Sequence, residues 1–155
     1  MKIAIGADHG GFVLKKEIVQ HLEAMDIEVI DCGTYSSRSV DYPDYAVAAA
    51  EKVTSGEALF GIVICGTGIG ISISANKVKG IRCALCTDTY MARMARQHND
   101  SNMLALGGRV VGGGLARDIV DAFLSFEFET GGRHQTRVGK IMDIEKNRSL
   151  EGQDG

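Results

Sequence analysis

The stretch IVICGTGIGISISANK, residues 62–77, places Cys65 directly before a turn in which Gly66, Gly68 and Gly70 alternate with Thr67 and Ile69. A cysteine is a base or nucleophile only as its thiolate, and closely spaced backbone amides at the start of a helix favour that form. The same amides can hold a small anion or a developing oxyanion. Thr67 adds a hydroxyl two residues beyond the sulfur. Alone, a cysteine that ends an apolar run is more often packed core, and glycines often serve only a tight turn. Here the neighbours argue for chemistry. The turn is not a dinucleotide fingerprint, because it follows the third apolar run and Ile71 stands where the last glycine would be, and it lacks a Walker lysine.

Other candidates lie in turns. Asp8 and His9 follow the first apolar run, and Arg109 follows the fifth. His98, in RQHNDSN, ends a helical pattern, where the negative dipole end favours a protonated ring or a simple capping role. Arg133 and Arg137, four apart in GGRHQTR around His134, would share a helix face suited to a phosphate; a solvated basic turn is the competing account. His21 falls on the polar face of the first helix beside Glu17 and is expected to be solvated. Cys83 and Cys86 form a C-x-x-C, but inside a strand-like run i and i+3 face opposite sides, and no second Cys or His pair has ligand spacing. With Cys32 they read as reduced, packed thiols, and no metal site is expected.

These residues need elements to position them. Apolar runs of strand length recur at 2–7, 27–31, 59–65, 80–86 and 102–107, and helical patterns fall at 11–25, 43–55 (opened by Pro43), 70–78, 88–98, 113–125 and about 136–148. The first helix carries Leu14, Ile18, Leu22 and Met25 on one stripe, and the fifth Leu115, Ile119, Val120 and Phe123. Near-continuous apolar strands alternating with helices predict a single doubly wound, Rossmann-like α/β domain. It has a five-stranded parallel sheet, helices on both faces and a C-terminal helix over 1–148, then a polar tail over 149–155. Ligands of such folds bind outside the carboxyl ends of the strands, where Asp8, His9, Cys65 and Arg109 fall.

The chain has 155 residues, 45% of them apolar and 24% charged, with a formal charge of −3. That is one ordinary globular domain, too acidic for nucleic acid. It has neither a membrane span nor a signal peptide, and so is expected to be cytoplasmic.

With GADHGG, DYPDYA, CGTGIGISISANK, RQHNDSN and GGRHQTR in that order, the chain closely resembles the ribose-5-phosphate isomerase B family over about residues 2–148. The resemblance implies interconversion of ribose 5-phosphate and ribulose 5-phosphate without metal or organic cofactor. Cys65 matches the family's base, and the amides of Gly66, Gly68, Ile69 and Gly70 with the Thr67 hydroxyl match the oxyanion cradle. His98 matches the residue that opens the furanose ring, assisted by Asn99, and Asp8 matches one at the sugar's oxygens. His9, Arg109, Arg133 and Arg137 match the phosphate contacts, and Tyr42 flanks the sugar. One branch uses a glutamate base where this chain has Ile71, so the cysteine branch is the one resembled. Relatives acting on galactose or allose 6-phosphate are near alternatives; the galactose enzymes tend to lack the histidine at position 98 and the arginine pair. A non-catalytic sugar-phosphate or nucleotide binder would keep the turn and the arginines without needing Cys65 and His98, and pure scaffolding explains none of the turns.

Topology adds a partner. Cys65 ends strand three at the carboxyl edge, whereas His98 precedes strand five at the amino edge. Six residues of strand span about 20 Å. If both act on one sugar, His98 comes from a second subunit, and the enzyme is a dimer or a larger homo-oligomer such as a tetramer.

Overall fold

The computed structural model describes residues 1–151, with side chains through residue 147. The expected polar tail, 149–155, lies outside the residues whose side chains are described. Strands β1 (Lys2–Ala7), β2 (Glu28–Asp31), β3 (Phe60–Cys65), β4 (Cys83–Leu85) and β5 (Met103–Gly107) form one parallel sheet in the order β2-β1-β3-β5-β4. The helices are α1 (Phe12–Ala24), α2 (Tyr42–Thr54), α3 (Ile69–Ala75), α4 (Thr89–Asn99), α5 (Gly113–Ser125) and α6 (Arg133–Glu151). Among the described residues no helix is long and apolar enough to cross a membrane.

Alternation along the central strands builds two cores. Ile3, Ile5, Ile62, Ile64, Leu104 and Leu106 face a layer with Leu14 and Ile18 of α1 and Ile119 and Phe123 of α5. Ala4, Val63, Cys65, Met103 and Ala105 face the other layer, with Ala46, Ala49 and Ala50 of α2 and Ile71 and Ala75 of α3. Fully burying one Ile or Leu contributes about 1.5–3 kcal/mol, so these positions carry the fold and free the strand ends for chemistry. Cys83 packs in the α2–α3 layer and Cys86 in the opposite one, as their spacing predicts.

Several details differ from the sequence reading. β4 is three residues rather than seven, because Gly80 turns away at φ 88° and the Arg82 amide is taken by the Asn102 side chain at 2.8 Å instead of the ladder. Met25 is the exposed C-cap of α1, and buried Lys15 occupies the inner face instead. Leu115 is exposed, its place on the α5 stripe taken by Ala116. His21 is not merely solvated: its Nε2 lies 2.7 Å from Asp121 Oδ1, joining α1 to α5. α6 starts at Arg133, three residues early, so Arg133 and Arg137 do lie one turn apart on a helix.

Candidate active site

At the carboxyl edge, Cys65 ends β3 opposite Gly107, with its side chain almost wholly buried. The Gly68 N–H donates to Cys65 Sγ at 3.1 Å, leaving the sulfur an acceptor. Gly68 has φ 77°, and a Cβ there would come within 2.5 Å of Leu85. Only glycine turns the chain back over the thiol in this way. Thr67 is exposed, its Oγ1 accepting from the Ile69 N–H at 3.2 Å. Gly70 lies under the Tyr42 ring, where a Cβ would approach to 2.5 Å.

The β1 turn abuts this one. Asp8 is buried, and its Oδ1 accepts from the amides of Gly10 at 2.8 Å and Gly11 at 3.1 Å. The Val40 N–H donates to His9 Nδ1 at 3.2 Å, which leaves Nε2 as the ring position that carries a proton. Arg109 is exposed, and its backbone N–H bonds the Gly66 carbonyl at 2.9 Å. Asp8, His9, Val40 and Tyr42 line a cavity of about 600 Å³ together with Ser39 and Asp41.

The remaining predicted residues lie elsewhere. α4 carries the chain back to the amino edge, so His98 and Asn99 precede β5, and the Gln97 carbonyl accepts from the Glu129 amide at 2.9 Å. That brings the start of α6 against α4. His134 stacks on His98 with ring centroids 3.8 Å apart and planes 6° apart, its Nε2 3.7 Å from Glu129. Arg133 and Arg137 are exposed on the same helix. A second cavity, of about 620 Å³, opens beside α6 with Asn99 and Arg82 in its wall. The predicted set therefore forms two groups at opposite edges of one sheet, not one site.

His98, Glu129 and His134 bring possible ligand atoms within 4.8 Å of one another. Face-to-face rings, however, hold their nitrogen lone pairs in parallel planes rather than converging on one ion. Burial, then the charges of His98, Arg133 and Arg137, lowers the His134 pKa, with Glu129 opposing. Among the other thiols, burial pushes Cys83 and Cys86 up to about 12 and raises Cys32, which is inert packing chemistry. Two features had no signal in spacing. One is buried Lys15, whose Nζ donates to Asp31 Oδ1 at 2.5 Å beside the loop that carries Val40. The other is the His98–His134 stack, since both histidines were visible but their pairing is tertiary.

Known proteins extend this geometry. The family model described as Ribose/Galactose Isomerase matches residues 3–141. Ribose-5-phosphate isomerase B of Escherichia coli (strain K12) is 57% identical over 148 residues, covering 96% of this chain and 99% of the relative. The solved ribose-5-phosphate isomerase B of Clostridium thermocellum superposes with a TM-score of 0.93 at 64% identity, covering 96% of this chain and 99% of that one. Ribose-5-phosphate isomerase B from Mycoplasma genitalium, solved with bound ribulose-5-phosphate, gives a TM-score of 0.88 at 45% identity, covering 94% and 96%.

Proposed function

The chain belongs to the ribose/galactose isomerase family, and from that premise we propose how it works as an isomerase. It interconverts ribose 5-phosphate and ribulose 5-phosphate by proton transfer through an enediolate. The observation that carries the mechanism is Cys65 Sγ, held as an acceptor by the Gly68 amide at the lip of the glycine turn. The thiolate removes the C2 proton of the open-chain aldose, the electron pair forms the C1=C2 bond, and charge moves onto O1. The Thr67 hydroxyl, whose oxygen accepts from the Ile69 amide, and the amides of Gly66 and Gly70 stabilise that charge in the manner of an oxyanion hole. A proton passes from O2 to O1, and the thiol, having exchanged its proton with solvent while the enediolate is bound, delivers one to C1, giving the ketose. The proton leaves C2 and the charge gathers on O1, two bonds away, which is why the thiol stands beside the turn.

Before that step, His98 with Asn99 opens the furanose ring, and Asp8 and Tyr42 orient the sugar. His9, donating from Nε2, shares the phosphate with Arg109, Arg133 and Arg137. The amino-edge group is supplied by a partner subunit, and the enzyme works in the cytoplasm. Incubation with ribose 5-phosphate in deuterated water tests the activity: ketose forms carrying deuterium at C1, and ketose without label would point to internal hydride transfer instead. Replacing Arg133 or Arg137 by alanine is expected to raise KM and also lower kcat, because binding of the remote phosphate orients the reacting end. Unchanged steady-state kinetics in both variants would remove them from the site.

A further inference from the structure

We propose that Arg82, which bonds no side chain assigned to the substrate, is a positioning residue for ring opening, acting through the turn that presents His98 and Asn99. The proposal rests on the reading of His98 given above.

The last turn of a helix leaves carbonyls without intrahelical donors. At the end of α4, Arg82 supplies several donors to that one turn. Its Nε donates to the carbonyls of Asn99 and Asp100, both at 3.1 Å. Its Nη2 donates to the Asp100 carbonyl at 2.7 Å and to Asp100 Oδ2 at 3.2 Å. Asp100 has φ 45°, a left-handed conformation uncommon for a residue with a side chain. From the other side, Arg96 Nη1 donates to Asp100 Oδ1 at 3.1 Å and to the Ser101 carbonyl at 2.6 Å. Two guanidinium groups thus bracket one carboxylate and lock the turn immediately after His98 and Asn99.

Arg82 also reaches outward, and this separates positioning from simple capping. Its Nη1 lies 3.3 Å from Met142 Sδ on α6, the helix that carries His134, Arg133 and Arg137. The residue is itself anchored, because Asn102 accepts from the Arg82 amide at 2.8 Å and donates to the Gly80 carbonyl at 2.8 Å. The Gly80 amide donates to Glu145 of α6 at 2.9 Å. A planar fork with several fixed donors can serve carbonyls, carboxylate and sulfur together, which a lysine cannot. The turn that carries the ring-opening histidine and the helix that carries its stacking partner His134 are therefore held in one frame, with Arg82 at its junction.

The two substrates separate ring opening from proton transfer. Ribose 5-phosphate is mostly a closed furanose. Ribulose 5-phosphate is open-chain, because its C5 oxygen is esterified and cannot close a five-membered ring on C2. Deuterium exchange at C1 of ribulose 5-phosphate needs the enediolate step but no ring opening. In full-length Arg82→Lys at saturating substrate, kcat on ribose 5-phosphate is expected to fall about 10-fold or more, while C1 exchange into ribulose 5-phosphate stays within about twofold of parental. The exchange reaction also reports that the variant is folded. Equal losses in both reactions, or no loss in the first, would overturn the proposal. His98→Ala run in parallel should show the same split, more severely. If His98→Ala shows no split, the reading of His98 is what fails; if it does and Arg82→Lys does not, only the positioning role falls.

Discussion

Turnover of ribose 5-phosphate drops on the order of 10²-fold or more when Cys65 is replaced by serine, while the sheet and the affinity for the phosphate stay close to parental. The substitution exchanges one small acceptor for another at the end of β3, and the Gly68 amide, 3.1 Å from Sγ, can still donate to a hydroxyl. What is lost is the base, since a serine hydroxyl stays protonated at neutral pH. A serine variant that isomerises at near the parental rate would place the base elsewhere. Alkylation gives a second readout. Only thiolates react, and burial pushes Cys83 and Cys86 up to about 12, so both stay thiols at pH 8. A small alkylating agent should therefore inactivate in step with labelling of Cys65, with substrate protecting. Labelling of Cys83 or Cys86 should begin only as the pH approaches their raised values. Inactivation that follows label on either of those two would defeat the assignment.

Hydrophobic pattern made the strands and helices legible, because a parallel sheet covered on both faces leaves near-continuous apolar runs at β1, β3 and β5. The strand order was not legible. No local signal says that β5 enters between β3 and β4, since both neighbours are chosen by long-range packing. Edge β4 was overestimated because IRCALC is apolar but for Arg82, yet its first residues are diverted by Asn102 and by the backbone of Gly80. Site residues that end strands could be found from their position alone, as with Asp8 and Cys65. Residues that act through others could not. Nothing in spacing singled out Lys15, whose counter-charge Asp31 is brought to it only by the fold, or Arg82, a single charge within an apolar run.

The division of the site between two edges leads to the other large effect, recovery of activity from two inactive proteins. β3 and β5 run parallel, with Gly61 opposite Met103 and Cys65 opposite Gly107. Cys65 therefore lies at the far end of β5 from the turn that carries His98. Five residues of strand are about 16 Å long, and the turn from His98 to Asn102 comes before them. An open pentose phosphate does not bridge that span through a packed sheet. One sugar can meet both residues only if the second comes from another copy of the chain, and a two-fold axis then makes two equivalent mixed sites. Cys65→Ala and His98→Ala should each be inactive on ribose 5-phosphate. After subunit exchange at equal concentrations, about half the dimers are mixed and each mixed dimer holds one intact site of two, so roughly a quarter of parental activity returns. The other site of each mixed dimer carries both substitutions and stays silent, which fixes the ceiling. Activity that stays at the level of the separate variants, despite exchange shown by differently tagged subunits, would mean that His98 and Cys65 do not act on the same sugar across a subunit boundary.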